Sequence, residues 1–180
     1  MATKINVAKS ALANLLDLIN ATNVSANLST SSVDIGVPSA RTPDANPNNT
    51  TVSVSPKSGS GIPGDPISVT YMRLALSTGL SGGASGSALN FNVDGNDSTA
   101  EAALLAAAAT QLGLVAGEFA IDASTPLSGV EQGAAASGIL LTPNAGSLLY
   151  TGGVTIQVTW PASDLNTLVA NKQLDGFEAA

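Results

Sequence analysis

The sequence predicts an α+β fold, an antiparallel β-sheet or small sandwich covered by an N-terminal helix and a central alanine-rich helix, in a single domain over residues 1–180. Three observations point there: an apolar stripe at helical spacing near the start, an alanine-rich run with a stop signal in the middle, and several short alternating segments between turn clusters. Strands with short turns outnumber helices, which favours antiparallel pairing over βαβ units.

The first helix is expected over residues 3–21. Ile5, Ala8, Leu12, Leu15, Leu16 and Ile19 recur at three- and four-residue spacings, while Lys4, Asn14, Asp17 and Asn20 fall away from that stripe. Residues 20–23 supply the stop. Such a helix covers one face of a sheet or docks into a neighbouring subunit. Residues 24–40 are β-branched and polar, and residues 41–49 set Pro43 and Pro47 among Asp44, Asn46, Asn48 and Asn49, which no regular element survives. Residues 51–55 alternate as a half-buried strand, residues 58–66 form a second breaker cluster, and residues 67–76 give the clearest strand of the first half.

Gly79, Gly82, Gly83 and Gly86 make residues 77–87 a turn or arm, followed by a strand at 88–93. Ser98 with Glu101 three residues on has the spacing of a capping box. Asp97 adds negative charge at the positive end, and the run ends at Gly113, so a second helix is expected over 98–112. Short strands follow at 118–122, 138–142, 148–151 and 154–160. Residues 127–137 form a loop or weak structure, and residues 164–177 hold a helical turn and a docked tail. The run Ser55-Pro56-Lys57-Ser58-Gly59-Ser60 is echoed by Thr142-Pro143-Asn144-Ala145-Gly146-Ser147. A repeated strand–loop–strand unit would put both loops on one sheet, whereas shared turn chemistry explains the match without a repeat. The loops at 41–50, 56–66 and 77–87 are the expected contact arms, together with a chain end carrying Leu174 and Phe177.

Composition narrows the function. Only 11% of residues are charged and 3% aromatic, against roughly a quarter charged in an ordinary soluble domain. A surface of hydroxyls and amides costs less to desolvate than one of unpaired charges and suits a protein packed against neighbours. The net charge of −7 and the scattered basic residues Lys4, Lys9, Arg41, Lys57, Arg73 and Lys172 oppose phosphate neutralisation, so no nucleic-acid partner is expected. Asn14 and Asp17 interrupt any export-signal core, and no apolar run reaches bilayer length, so no membrane partner is expected.

The chain holds no histidine and no cysteine. Their absence removes the usual general base, the Ser-His-Asp and Cys-His arrangements, and the common zinc and copper ligands. Carboxylate-pair glycoside cleavage and a Ser-Lys arrangement need neither, but a sugar groove wants aromatic faces, and Trp160, Tyr71 and Tyr150 fall in strands or beside them. Asp94-Gly95-Asn96-Asp97-Ser98 with Glu101 lacks the spacing and flanking helices of a calcium hand, so helix capping is its reading. Residues 81–87 lack the Lys-Ser or Lys-Thr of a phosphate cradle. The expectation is therefore no enzyme, no catalytic residues, no metal site and no cofactor.

The run Asn49-Thr50-Thr51-Val52-Ser53-Val54, then Gly59-Ser60-Gly61 and Gly64, then Val69-Thr70-Tyr71-Met72-Arg73-Leu74, resembles a pattern in uncharacterised virion structural proteins of tailed bacteriophages. Leu168-Val169-Ala170-Asn171 with Leu174-Asp175-Gly176-Phe177 is similar to the tail end of those chains, and with the N-terminal helix and the middle Asn90-Phe91-Asn92-Val93-Asp94-Gly95 followed by a helix the likeness spans most of the sequence. The resemblance implies a virion component assembled in the host cytoplasm, with other virion proteins (major capsid or tail proteins) and copies of itself as partners. Within that class a head decoration or cement protein comes first. A tail, baseplate or fibre-attachment component comes next, then a carbohydrate-binding adhesin domain and a carboxylate-type glycosidase.

Overall fold

The fold is α+β. The computed structural model describes residues 3–42, 47–77, 90–94 and 97–162, and in chain order they form α1 (Ala11–Thr22), β1 (Val33–Ile35), β2 (Ser39–Ala40), β3 (Thr50–Pro56), β4 (Ile67–Tyr71), β5 (Leu74–Ala75), β6 (Asn90–Asn92), α2 (Ala100–Leu112), β7 (Phe119–Ile121), β8 (Ser137–Pro143), β9 (Tyr150–Thr151) and β10 (Val154–Thr159). The expected arm at 77–87, apart from Ser77, and the closing segment at 164–177 lie outside the described residues, as does Pro43.

The first half builds a sheet around β3, the longest of its strands. On one side β3 pairs antiparallel with β1 and β2 in succession, and on the other with β4. Its alternation puts Val52 and Val54 inward, where Leu15, Leu16 and Ile19 of α1 close a core with Val33 and Tyr71.

The helix begins later than its apolar spacing predicts. Ser10 caps it, its Oγ accepting from the Ala13 N–H at 3.2 Å. Asn14, read from the sequence as a solvent-side residue, is buried: its Oδ1 accepts from the Asn6 N–H at 2.7 Å and its Nδ2 donates to the Asn6 carbonyl at 3.0 Å. That reciprocal pair holds the entry segment in a non-helical path and frees Ile5 to pack against the second core. The stop is where expected, with the Asn23 N–H bonded to the Ile19 carbonyl.

The second half is a sheet in the order β6-β10-β8-β7, antiparallel except for β6, which runs parallel to β10. Ile139, Leu141, Ile156 and Val158 line its inner face, and Leu104, Ala108 and Leu112 of α2 fill the core against it. The helix ends at Gly113 in the left-handed region, φ +65°, as its position predicts. Its start differs: Thr99 is the N-cap residue without a side-chain cap bond, and no Ser98–Glu101 box forms. Instead Asp97 Oδ1 accepts from both the N–H and the hydroxyl of Thr99 at 2.8 Å. The carboxylate thus sits just before the helix, where the macrodipole favours it.

The expected strand at 67–76 is broken after Tyr71. The Asn49 side chain imitates a ladder partner, accepting from the Arg73 N–H at 2.9 Å and donating to the Arg73 carbonyl at 3.0 Å. Past that clamp β5 leaves the first sheet and pairs parallel with β9. The internal echo is also resolved: Ser60 donates to the Lys57 carbonyl and Ser147 to the Asn144 carbonyl, with Gly59 and Gly146 at φ +78° and +82°. The two turns are alike but follow β3 and β8 in different sheets, so shared turn chemistry accounts for the match without a repeat.

Candidate functional site

The two halves are joined by buried polar chemistry rather than by one continuous sheet. Arg73 donates through Nε to Thr50 Oγ1 at 2.8 Å and through Nη1 to the Ser147 carbonyl at 3.0 Å. Glu118 Oε2 accepts from the Ser147 hydroxyl at 2.7 Å and the N–H groups of Leu148 and Leu149 at 2.9 and 3.3 Å. The Tyr71 hydroxyl donates to the Leu148 carbonyl at 2.8 Å, and Tyr150 accepts from the Val115 N–H at 3.0 Å. Burial pushes the Tyr71 hydroxyl up to about 12, with the Arg73 guanidinium opposing and the Glu118 carboxylate assisting; Tyr150 is likewise raised, first by burial. Among the described residues no fully buried side-chain polar atom lacks a hydrogen-bond partner, and the bonds of this junction tie the segment at 147–150 to both halves.

Beside the junction lies a cleft of about 470 Å³ between α1 and β4. Leu18, Ile19 and Thr22 form one wall, Val69 to Met72 the other, and Leu148 and Leu149 the floor; Thr3 to Ile5 border it as well. Among the described residues of this lining, Lys4 is the one Lys, Arg, Asp or Glu.

Among the described residues β4 pairs on one side only, with β3, and the register shows which backbone groups its other edge offers. In β3 the carbonyl of Ser53 accepts from Gly36 at 2.8 Å, the Lys57 N–H donates to Ser32, and the carbonyl of Asn49 accepts from Arg41, so odd-numbered residues face β1 and β2. Even-numbered Thr50, Val52 and Val54 therefore carry the ladder to Tyr71, Val69 and Ile67. Ser68 and Thr70 turn their N–H and C=O groups away from β3. Asn48 Nδ2 takes the Thr70 carbonyl at 3.0 Å; among the described residues nothing takes the N–H groups of Ser68 and Thr70 or the Ser68 carbonyl.

Large apolar side chains follow this edge in the open: Ile67 is 60% exposed, Met72 51% and Leu74 40%. Within β4 itself there is none of the charge or proline with which edges are usually blunted, although Asp65 and Pro66 immediately precede it. Sequence reading missed this site because it took residues 67–76 as one strand and gave no reason for β4 to be outermost. The available signal was a five-residue run free of charge. The expected contact loop at 56–66 is exposed and turned by Gly59, Gly61 and Gly64, all at positive φ. Of the loop at 41–50, residues 41, 42 and 47–50 are described; Thr50 is buried and already belongs to β3.

Trp160, Tyr71 and Tyr150 do not form an open aromatic surface. Both tyrosines are buried, and Trp160 is half-buried against the second core. Among the described residues no cluster of three or more carboxylates has metal-binding geometry, and no helix is long and apolar enough to cross a membrane.

A family model described as a family of unknown function (DUF7941) matches residues 5–180. The chain belongs to that family. The matched residues include every helix and strand described above, while Thr3 and Lys4 of the cleft lining precede the match. Comparison with curated proteins and with solved structures found no match.

Proposed function

We propose that the protein is a non-enzymatic structural component of a tailed-phage virion, in the first place a head decoration or cement protein that stabilises the capsid through lateral contacts with the major capsid protein and with its own copies. The observation that carries this reading is the β4 edge: a free ladder and three exposed large apolar side chains on a chain with 11% charged residues. Such a surface gains by being covered, because burying Ile67, Met72 and Leu74 removes apolar area from water without stripping ions of hydration. The likeness of residues 49–54 and 69–74 to virion structural proteins supports the same class.

Quantitative mass spectrometry of purified particles tests it. A head decoration role requires hundreds of copies per particle, and particles lacking the protein should lose their contents at lower temperature or pressure. A handful of copies moves the protein to the tail, baseplate or fibre attachment. Absence from purified particles ends the virion reading.

A further inference from the structure

We propose that the α1/β4 cleft is a strand-addition site: an extended segment of a partner protein, apolar at alternate positions and carrying a carboxylate at one end, pairs with β4 and sets its apolar side chains against α1. The proposal deepens the virion reading by naming what the exposed edge receives. Three observations meet at this one place. The N–H groups of Ser68 and Thr70 and the carbonyl of Ser68 point outward in ladder register, a set of donors and acceptors that another backbone satisfies best. Leu18, Ile19, Val69 and Tyr71 give an apolar recess on the α1 side of that edge, which receives every second side chain of an added strand. Lys4, the permanent charge of the lining, selects a carboxylate, and it does so on a chain whose net charge of −7 otherwise repels one.

Asn48 narrows the register. By occupying the Thr70 carbonyl it leaves the incoming strand the Thr70 N–H alone at that position, while Ser68 offers both groups. Pairing is thus strongest at the Ser68 end, beside exposed Ile67. The usable edge is short, about five residues, so a single contact is weak, and stable attachment comes from many copies acting together.

The test uses the full chain and two synthetic decapeptides of alternating valine and threonine, one ending in aspartate and one in lysine. Amide hydrogen exchange by NMR should show Ser68 and Thr70 exchanging freely in the dilute protein and becoming protected when the aspartate peptide is added. The lysine peptide should bind more weakly, and Lys4→Glu should reverse that preference. Thr70→Pro removes an outward donor without touching the β3 ladder; it should cost about tenfold in affinity, the value of one backbone hydrogen bond. Lys4→Glu, which leaves the strand alone, covers the case in which the proline variant does not fold.

The idea is overturned if neither peptide protects β4, or if Ser68 and Thr70 are already protected in the dilute chain. Protection that rises with protein concentration alone also overturns it, in favour of edge pairing between copies. The peptide result is independent of particle composition, so failure here leaves the virion reading standing, and the copy count can fail without affecting strand addition.

Discussion

Tyr71 bonds across from the first half to the segment at 147–149, which Glu118 holds within the second half. Removing the Tyr71 hydroxyl with Tyr71→Phe deletes the bond to the Leu148 carbonyl and should cost about 1 kcal/mol in denaturant unfolding. The same hydroxyl makes stability pH-dependent. Its pKa is raised in the folded state to about 12 from 10.0, so the unfolded chain loses this proton first as the solution becomes alkaline. The contribution is whole below pH 10 and disappears between there and 12. Tyr150 shifts in the same direction. Unfolding titrations should therefore show a fall in stability above pH 10 that is shallower in Tyr71→Phe; an unchanged slope would mean the hydroxyl is not held as described. Glu118→Ala strips three donors of their common acceptor and should destabilise by about 2 kcal/mol, as read from the chemical midpoint.

Among the elements, α2 shows how the alanine-rich composition is used. Ala108 is fully buried where the helix meets the second core, and a larger residue there has nowhere to go. Ala108→Leu should cost about 1–3 kcal/mol by overpacking, whereas Ala106→Leu on the exposed face should be close to neutral in the same melting experiment. This helix and its glycine stop were legible in the sequence, because propensity, spacing and the φ +65° requirement agreed. β3, β8 and β10 were legible too, since each alternates with one face buried. The start of α1 was not, because Asn14 looked polar and hence exposed; its buried amide is satisfied by the backbone of Asn6, eight positions back, and by the carbonyls of Lys9 and Ser10. The break after Tyr71 was equally hidden. Nothing local in residues 67–76 signals it, as the Asn49 amide that causes it lies more than twenty positions upstream. The absence of a catalytic reading followed from residue types, but the strand-edge site needed the register of β3 to appear.

At the scale of the molecule, two cores, one under α1 and one under α2, share a seam of named hydrogen bonds and the short β5·β9 pairing. Arg73 crosses it beside Tyr71, touching Thr50 on one side and Ser147 on the other. Arg73→Met keeps the length of the side chain and removes its donors. In the wild-type chain, hydrogen exchange of β3 and of β10 should report one shared unfolding free energy. In the variant β3 should exchange through a lower-energy opening while β10 is unchanged. Equal loss in both sheets would show that the seam does not depend on this residue. On the virion reading proposed above, such coupling carries a load on one sheet to the other through defined bonds.

The return of the chain at residues 147–151 sets an order of events during synthesis. Tyr71 and Arg73 leave the ribosome some seventy-five positions before the carbonyls of Leu148 and Ser147 that receive their protons, and Leu74 waits as long for Leu149. Until that stretch emerges, the N-terminal sheet has an unanchored exit at Tyr71 and a guanidinium with one acceptor instead of two. Nascent chains arrested before position 147 should then be cut by protease near residues 72–76, and those arrested well after 151, once clear of the exit tunnel, should resist. The first half of this protein is translated first but finished last.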